Sequence, residues 1–324
     1  MSLNILITSA SRKVWLVEAF KKALLNEGVE GKVISVETNP LSAALYLSDK
    51  HYLVPASSRK NFIPEIIKIC RKDKIKLIVP TRDGELMLFA RHRDIFQRLG
   101  ISLLVSSPVA VDTCQDKYKF FLFLRLNGIP TPLTFLPHEV NPASLRYPLI
   151  VKPRFGSGSK DVFKVENKPE LKIALSKVTN PIIQEHAEGK EYTLDLFSDF
   201  KGRILTVVAR LRMEVVSGES YKTITIRDKI MQGCARLIAE RLPVIGPATF
   251  QCIKNGKSIR FIEANLRFGG ASALSMRAGA DTPLLILRLL RGKKNIRSSD
   301  KFKNGLIMLR YTRDIFIFKR QVYK

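Results

Sequence analysis

The 324-residue sequence contains only four cysteines and four histidines. The cysteines, at positions 70, 114, 234 and 252, are widely spaced and form no C-x-x-C pair. This spacing argues against a structural zinc site and is typical of thiols that stay reduced. We therefore expect a cytoplasmic protein.

Long hydrophobic runs are also absent. The apolar run at 283–287 is interrupted by arginine and is much shorter than the ~20 residues that span a bilayer. The first residues show no basic-then-apolar signal pattern, so neither a membrane span nor a secretion signal is expected. With 45% hydrophobic residues, a chain of this length can bury a large core in two or three domains.

Acidic residues are scarce, because 29 Asp and Glu stand against 55 Lys and Arg, for a net charge of +26. Such a field attracts anions, including nucleotides, acidic metabolites, nucleic acid and anionic membranes. The sequence has neither an RNA-binding signature nor a basic strand interleaved with aromatic residues, so nucleic acid is not the expected partner. A solvated basic face is the simpler interpretation of the charge.

Residues 1–110 alternate between strand and helix patterns. The order is typical of an α/β domain with a Rossmann-like parallel sheet, whose ligands lie at the carboxyl ends of the strands. No G-x-G-x-x-G occurs, so a dinucleotide is not inferred. Strands are predicted at 4–8, 32–36, 76–80 and 101–105, and helices at 62–72 and 85–99. The polar residues that follow these strands either form ordinary loops or line a substrate pocket: Ser9, Ser11, Arg12, Glu37, Asn39, Thr81, Arg82, Asp83 and Glu85.

Beyond Pro108 the pattern changes to α+β. A helix is predicted at 115–127, ending before Gly128. Further strands are predicted at 149–152, 161–165, 181–185, 191–199, 203–213, 244–254 and 258–264, and helices at 169–177, 227–241 and 282–291. This order predicts two α+β lobes rather than a second Rossmann unit.

The most informative segment is 250–267, which indicates two strands joined by a turn at 255–257. Glu263, Asn265 and Arg267 are spaced two residues apart, so their side chains should leave the same face of an extended chain. Gln251 can face them from the partner strand. Oxygen ligands of this kind suit Mg²⁺, and a neighbouring arginine suits a transferring phosphoryl group. A polar edge hairpin is the alternative interpretation.

Two segments further upstream carry residues that suit a nucleotide. Lys152 lies at a predicted strand end and is followed by a Gly-Ser loop at 156–159, where backbone N–H groups can approach phosphate oxygens. In the second segment, 182–192, backbone groups can read an adenine edge and Glu191 can accept hydrogen bonds from ribose hydroxyls. Each segment by itself is also typical of a connecting loop or an exposed strand end.

Taken in order, these residues resemble the ATP-grasp superfamily, and most of all its branch with the carbamoyl-phosphate synthase large subunit and biotin carboxylase. The resemblance covers residues 108–290 and rests on Lys117, Lys152 with its glycine loop, Glu185, Glu191, Gln251, Glu263, Asn265 and Arg267. The first domain is similar to the pre-ATP-grasp domain of that family. The resemblance implies a pre-ATP-grasp domain at 1–110 and a two-lobed ATP-grasp domain at 111–324, with a lid lobe near 113–188 and a C-terminal lobe near 189–324.

The resemblance also implies that ATP binds between the two lobes with Mg²⁺, or with Mn²⁺ in its place. Lys152 and Arg267 would be the catalytic residues, and Arg267 would stabilise charge on the γ-phosphoryl group and the acyl phosphate. The metal ions would be held by Gln251, Glu263 and Asn265. The nucleotide would be bound by Lys117, Lys152, Gly156, Ser157, Gly158, Ser159, Gln184, Glu185, Ala187 and Glu191.

Three positions depart from the family pattern. Asp161 stands where a glycine is usual, which changes the hinge of the glycine loop. Gly270 stands where the carbamoyl-phosphate synthase branch has a second arginine, which argues against carbamate or bicarbonate chemistry and towards a larger carboxylate. Leu266 replaces a proline that is frequent there.

The resemblance therefore implies an ATP-dependent carboxylate–amine ligase that forms an acyl phosphate and then an amide, releasing ADP and phosphate. The small-molecule carboxylate and amine would contact Ser9, Arg12, Asp83, Glu85, Arg212, Gly218, Glu219 and Ser220. Two alternatives stay open: a carbamoyl-phosphate-synthase-like subunit that needs a partner chain, and a non-catalytic nucleotide- or polyanion-binding protein. The assembly is equally open between a homo-oligomer and a complex with a partner subunit.

Overall fold

The computed structural model describes residues 2–141, 144–156, 158, 160–293 and 296–322. These residues form three β-sheets with helices packed on them, and the mixed α/β class predicted from the sequence is confirmed. Within these ranges, no helix combines the length and the apolar character needed to cross a membrane. Ser157 and Ser159, both predicted to bind ATP, lie outside the described residues.

The first sheet is parallel and positions the loops of the first domain. Its strands are β1 (Asn4–Thr8), β2 (Val33–Glu37), β3 (Lys50–Leu53), β4 (Ile75–Pro80) and β5 (Ser102–Leu103), in the spatial order β3-β2-β1-β4-β5. Its helices are α1 (Val14–Asn26), α2 (Ala43–Leu47), α3 (Phe62–Lys72), α4 (Asp83–Arg91) and α5 (Arg93–Arg98). Because helices cover both faces, the central strands are buried almost throughout. The loops that follow β1, β2 and β4 therefore meet at one edge.

Several details of the first domain differ from the prediction: the helix α2 was not predicted, and the strand predicted at 101–105 is only two residues long. The helix predicted at 85–99 is two helices, because His92 ends α4 and begins α5. The edge strand β3 was not predicted, since its Lys-His-Tyr-Leu sequence is only partly buried and lacks the apolar run of a central strand.

The second sheet is antiparallel and small. Two helices lead into it, α6 (Pro108–Gln115) and α7 (Lys117–Leu126). Its elements are β6 (Thr134–Phe135), a 3-10 turn (Pro137–Glu139), β7 (Leu149–Pro153), β8 (Phe163–Val165), α8 (Lys168–Lys177) and β9 (Pro181–Glu185), with the strand order β6-β9-β7-β8. The helix predicted at 115–127 begins instead at Lys117, because the Asp116 carboxylate accepts the N–H groups of Tyr118 and Lys119 as an N-cap.

The third sheet is antiparallel and forms the floor of the site. Its strands are β10 (Lys190–Ser198), β11 (Ile204–Val216), β12 (Glu219–Thr225), β13 (Gly246–Asn255), β14 (Ser258–Asn265) and β15 (Ile307–Leu309), in the order β14-β13-β10-β11-β12-β15. Its helices are α9 (Lys229–Arg241), α10 (Ser272–Ala278), α11 (Thr282–Leu290) and α12 (Lys319–Val322). The strands β12 and β15 were not predicted. One face of the sheet packs on α9 through Met231, Phe250 and Phe261, whereas the other face carries both apolar residues such as Val208 and polar side chains that line a cavity.

An ionic cluster joins the first domain to α11. The carboxylate of Glu27, at the end of α1, accepts hydrogen bonds from Arg288 Nε at 2.7 Å, Arg291 Nη1 at 2.9 Å and Lys293 Nζ at 2.7 Å. Only 3% of the Glu27 side chain is exposed. The hydrogen bond from Lys293, followed by that from Arg288, lowers the pKa of Glu27 to about 2.

Glu27→Gln should lower the melting temperature at neutral pH by about 2–4 °C, because it removes the charge from three ion pairs whose cationic ends are partly solvated. The pKa of Glu27 is depressed, so its stabilisation is present above the unfolded value of 4.5 and is lost as the pH falls towards about 2. Calorimetry of both proteins across this acid range measures the difference. A difference that does not shrink below the unfolded pKa would contradict the assignment.

Candidate functional site

Three cavities meet at one carboxylate, that of Glu263. The first cavity, of about 610 Å³, lies between the second and third sheets. The second, of about 520 Å³, lies between the third sheet and the loops of the first domain. The third, of about 210 Å³, lies beside α4 and α6. Because Glu263 lines all three, a group bound to it is reached from each of these spaces.

The predicted hairpin at 250–267 is confirmed as β13 and β14, and it places Glu263. Gln251 lies opposite Glu263 in the antiparallel register, but the next residue, Cys252, pairs with Phe261. Ile262 is therefore an extra residue in β14, a β-bulge that the sequence analysis did not predict. Beyond the bulge, Asn265 Nδ2 donates to Glu263 Oε1 at 3.1 Å. The polar side chains of this segment share the second cavity: Gln251, Glu263, Asn265 and Arg267.

The first cavity contains the buried ammonium group of Lys152, which lies near the end of β7. Its Nζ donates to Gln184 Oε1 at 2.8 Å, and Gln184 Nε2 donates to Thr134 Oγ1 at 2.7 Å. Burial lowers the pKa of Lys152 to about 8, and the nearby Glu263 opposes that shift. An anion in this cavity would stabilise the charged form of Lys152, because it would offset the cost of burial.

The β7–β8 loop borders the first cavity and is tied to α7. Arg154 donates to both oxygens of Asp116, from Nε to Oδ1 at 2.8 Å and from Nη2 to Oδ2 at 2.6 Å. Lys117 Nζ donates to the carbonyl of Gly156 at 2.6 Å. Asp161, where a glycine is usual in the resembled family, has a φ of 54°, in the left-handed region that favours glycine. The loop therefore keeps a glycine-like backbone path in spite of the aspartate.

The end of β9 and the segment after it line another part of the first cavity, with Gln184, Glu185 and Ala187. Glu185 is bound to the neighbouring chain, because its backbone N–H donates to the Leu133 carbonyl at 2.8 Å and its Oε2 accepts the Leu133 N–H at 3.2 Å. These contacts hold the backbone of the segment at a fixed distance from β6.

Glu191, at the start of β10, faces the same cavity but is already paired with a cation. Its Oε1 accepts from Gln251 Nε2 at 2.9 Å and lies 2.9 Å from Arg212 Nη1. Burial raises the pKa of Glu191, and Arg212 opposes the shift. The ion pair with Arg212 was not predicted, since the two residues are far apart in the sequence.

Two buried arginines of β11 line the second cavity. The side chains of Arg210 and Arg212 are only 4% and 6% exposed, and they leave the same face of the strand. Arg210 Nε donates to Asp195 Oδ2 at 2.8 Å, and its Nη1 donates to Ser220 Oγ at 3.1 Å. Arg212 was predicted to contact substrate but Arg210 was not. Two arginines at alternate positions in a mostly apolar strand were the signal that could have identified both.

The β11–β12 turn approaches the β7–β8 loop and the first domain at once. A Cβ atom added to Gly218 would lie 2.7 Å from the Cα of Gly158. The next residue, Glu219, accepts hydrogen bonds from Arg12 at 3.2 Å and from Arg310. Burial acts to raise the pKa of Glu219, but Arg310 and Arg12 together lower it. The turn therefore connects three parts of the chain at the rim of the second cavity.

Glu85, predicted to contact substrate, lies instead beneath the cavity walls. It is completely buried, its Oε1 accepts from Thr8 Oγ1 at 2.7 Å and from the Thr81 N–H at 3.0 Å, and its Oε2 accepts from Ser9 Oγ at 2.9 Å. Burial raises its pKa against these hydrogen bonds. Glu85 thus organises the loops after β1 and β4. All other described residues predicted for the site line the first or the second cavity.

The donor atoms at the hairpin suit a hard cation when other ligands complete its coordination. Among the described residues, no group of three or more His, Cys, Asp or Glu side chains could hold a metal ion. Gln251, Glu263 and Asn265 provide one carboxylate and two amide oxygens. This small oxygen set fits Mg²⁺, which usually keeps waters and takes phosphate oxygens as further ligands.

Comparison with known families identifies the middle of the chain. Residues 114–271 match the family model described as an ATP-grasp domain. The chain contains an ATP-grasp domain. The resemblance inferred from the sequence is thereby confirmed, and this ATP-grasp domain includes Lys152, Gln251, Glu263 and Arg267. Residues 5–104, before it, match the model described as a PylC-like, N-terminal domain.

Two curated relatives of the chain are carbamoyl phosphate synthases. The large chain from Pyrococcus furiosus is 23% identical over 283 residues, which cover 79% of this chain and 26% of that one. The N-terminal section of the large chain from Methanopyrus kandleri is 26% identical over 286 residues, which cover 79% and 50%. The chain thus spans between a quarter and a half of the length of these relatives.

Solved structures share the fold of the chain. The biotin carboxylase of Campylobacter jejuni, solved as a β,γ-ATP complex, superposes with a TM-score of 0.74 at 19% identity. The superposition covers 94% of this chain and 74% of that one. The arrangement of a parallel sheet followed by two antiparallel lobes is therefore common to both proteins.

Gly218→Ala should loosen the contact between the β11–β12 turn and the β7–β8 loop. Gly218 has a φ of 76°, and its added methyl group would clash with the backbone of Gly158, so one of the two segments must move. We expect a loss of roughly 2–3 kcal/mol in unfolding free energy and faster proteolysis within the β7–β8 loop. Denaturant unfolding and limited proteolysis measure the two effects.

Gly256→Ala is the matched control, because Gly256 has a φ of 55° but nothing within 4 Å of an added Cβ. It should carry only the backbone cost of ~1 kcal/mol, with unchanged cleavage of the β7–β8 loop. Equal effects of the two substitutions would show that the contact with Gly158 does not hold the loop.

Proposed function

We propose that the protein is an ATP-dependent ligase that joins a carboxylate to an amine. In the first step a carboxylate oxygen attacks the γ-phosphorus of ATP, the bond to ADP breaks and an acyl phosphate forms. In the second step the amine nitrogen attacks the acyl carbon, phosphate leaves and the nitrogen loses a proton. The observation that carries the proposal is that Glu263 lines both a cavity suited to a nucleotide and a cavity suited to a carboxylate.

The first cavity supports the nucleotide half of the proposal. Its volume of about 610 Å³ lies in the range of ~300–1,000 Å³ usual for small-molecule sites. Lys117 and Lys152 bring two ammonium groups to it, which suits phosphate oxygens. Both contacts of Glu191 with described side chains use Oε1, so Oε2 remains for a ribose hydroxyl. The adenine would lie against the end of β9 and the segment after it, at Gln184, Glu185 and Ala187.

The second cavity supports the carboxylate half, because its lining is rich in cations. Six cationic side chains line it against four carboxylates: Arg12, Lys13, Arg82, Arg210, Arg212 and Arg267 against Glu37, Asp83, Glu219 and Glu263. Lys13 was not predicted from the sequence. Burial and then Arg267 lower the pKa of Lys13, against the opposing Glu85. A carboxylate substrate can accept hydrogen bonds from the lining guanidinium groups, whereas a cationic substrate cannot.

A divalent cation would link the two halves of the site. Mg²⁺ would be held by Glu263, with Asn265 and Gln251 as amide ligands, and it would neutralise charge on the phosphate oxygens. Glu263 fixes that position because it faces both cavities. Arg267 would stabilise the negative charge that develops on the transferring phosphoryl group, and Lys152 would hold a phosphate oxygen from the other side.

A carbamoyl-phosphate-synthase-like subunit is the second candidate. The absence of an arginine at position 270 argues against it, but Arg310 Nη2 donates to the Gly270 carbonyl, so a guanidinium group lies there nevertheless. Both curated relatives are large chains or sections of such synthases. Bicarbonate-dependent ADP formation that rises with ammonia or with a copurified partner subunit, and no reaction with larger carboxylates, would favour this candidate.

Hydroxylamine trapping with Mg²⁺-ATP over pooled carboxylates tests the ligase proposal. We expect one pool to yield hydroxamate and ADP in equal amounts, because hydroxylamine intercepts the acyl phosphate. Glu263→Gln should lower both products at least ~100-fold, since it removes the shared carboxylate. Glu240→Gln, at an exposed position in α9, is the matched control and should leave both unchanged. Formation of ADP without hydroxamate would indicate another acceptor. The absence of both products would contradict the proposal.

Nucleotide affinity should fall as the pH rises through about 8. The pKa of Lys152 is lowered to about 8, so its ammonium form, which attracts phosphate, is lost above that pH. Bound phosphate raises this pKa again, and the dissociation constant of ATP should therefore increase by up to ~10-fold per pH unit above it. Titrations with a fluorescent ATP analogue measure the slope. Lys152→Arg should bind more weakly but with a flat profile, and equal slopes in both proteins would contradict the assignment.

A further inference from the structure

One carboxylate of the first domain, that of Asp83, contacts Arg267, the residue proposed to stabilise the transferring phosphoryl group. Asp83, the first residue of α4, lies 184 positions before Arg267. Arg267 Nη2 donates to Asp83 Oδ2 at 2.8 Å, and Arg267 Nε donates to Oδ2 at 3.0 Å and to Oδ1 at 3.1 Å. Two N–H groups of one edge of the guanidinium therefore point at a single carboxylate, the geometry that fixes an arginine most firmly.

The remaining contacts of Arg267 leave little of it unpaired. A guanidinium has five N–H groups. Its Nε–H and one Nη2–H go to Asp83, the other Nη2–H goes to Asn265 Oδ1 at 3.3 Å, and one Nη1–H goes to the Phe268 carbonyl at 3.1 Å. The second Nη1–H has no partner among the residues that the structure describes. The other four hydrogen bonds set the orientation of that last donor. Of these partners, Asp83 carries a charge, and it accepts two of the four bonds.

The same hydrogen bonds continue to the proposed metal carboxylate. Asn265 accepts from Arg267 and donates to Glu263 Oε1 at 3.1 Å. Asp83 itself is anchored, because its backbone carbonyl accepts a hydrogen bond from Gln115 Nε2 in α6. A continuous chain of contacts thus runs from the first domain to the point where the three cavities meet.

We propose that Asp83 is a positioning residue, which holds the guanidinium of Arg267 so that its free Nη1–H faces the transferring phosphoryl group. The proposal rests on the ligase function above. It assigns part of the phosphoryl-transfer site to the first domain, although none of the described residues of that domain lines the first cavity. Asp83 does not touch the reacting atoms in this assignment and acts through Arg267 alone.

A double-mutant cycle with Asp83→Asn and Arg267→Lys tests the assignment, with hydroxamate formation as the readout. Asp83→Asn should lower kcat by roughly 10–100-fold and change the KM for ATP by less than about threefold, because the orientation of Arg267 matters most in the transition state. In the Arg267→Lys background, the same substitution should have almost no further effect, since the guanidinium that it orients is gone. Asp83→Glu, which keeps the charge, should recover part of the loss.

Glu27→Gln is the matched control, because it also breaks an ion pair between the first domain and the C-terminal part of the chain, and Glu27 lines none of the three cavities described above. It should lower the melting temperature and leave kcat unchanged. Equal and additive losses from Asp83→Asn in both backgrounds would overturn the proposal, and so would a kcat that falls only in proportion to stability.

The results that would contradict the ligase proposal differ from those that would contradict the role of Asp83. If wild-type protein forms ADP but no hydroxamate, the ligase proposal is wrong. The double-mutant cycle, measured by ADP formation instead, then still tests the role of Asp83. Non-additive losses in that assay would support the role, and additive losses would overturn it. Absence of both products would overturn both proposals.

Discussion

The site depends on one extra residue in a β-strand. Ile259 and Phe261 of β14 are buried, and without the bulge at Ile262 the period of two would bury Glu263 as well. The bulge moves Ala264 and Leu266 into the core instead and turns Glu263 and its polar neighbours outward. The apolar residues on both sides of the bulge fix the register, because a slip of one position would expose them. The polar face of the hairpin is therefore stabilised by the packing of its other face.

The second constraint is the buried carboxylate of Glu85. A buried charge is costly unless its oxygens are hydrogen-bonded, and Thr8, Ser9 and Thr81 supply those bonds. Five of the residues that line the second cavity from the first domain follow these hydrogen-bonded residues closely in sequence, at 11–13 and 82–83. The loops after β1 and β4 and the polar face of the third sheet thus enclose the second cavity. The Glu85 hydrogen bonds fix the loops, and the packing of the hairpin fixes the sheet face. Ion pairs such as that of Glu219 with Arg12 then join them.

The sequence predicted the polar ends of strands and the ordered set of site residues, but not the pairs that they form. Glu263, Asn265 and Arg267 were found because period-two spacing is a local property. The partners Asp83 and Arg267 are 184 residues apart, so no local pattern could pair them. Glu85 was placed with the substrate contacts because a strand-end carboxylate looks the same in sequence whether it faces a cavity or the core. The bulge at Ile262 and the N-cap of α7 at Asp116 were not predicted, because each changes the hydrophobic pattern by a single residue.

Asp116 performs two structural tasks with one carboxylate, as the N-cap of α7 and as the partner of Arg154. The β7–β8 loop is consequently tied to the first turn of α7. Lys117 follows Asp116 directly and donates a hydrogen bond to the Gly156 carbonyl in the same loop. Loss of the Asp116 carboxylate would therefore remove the cap of α7 and the anchor of Arg154 together, although Asp116 and Arg154 are 38 residues apart. The start of a helix and the border of the first cavity thus share one anchor.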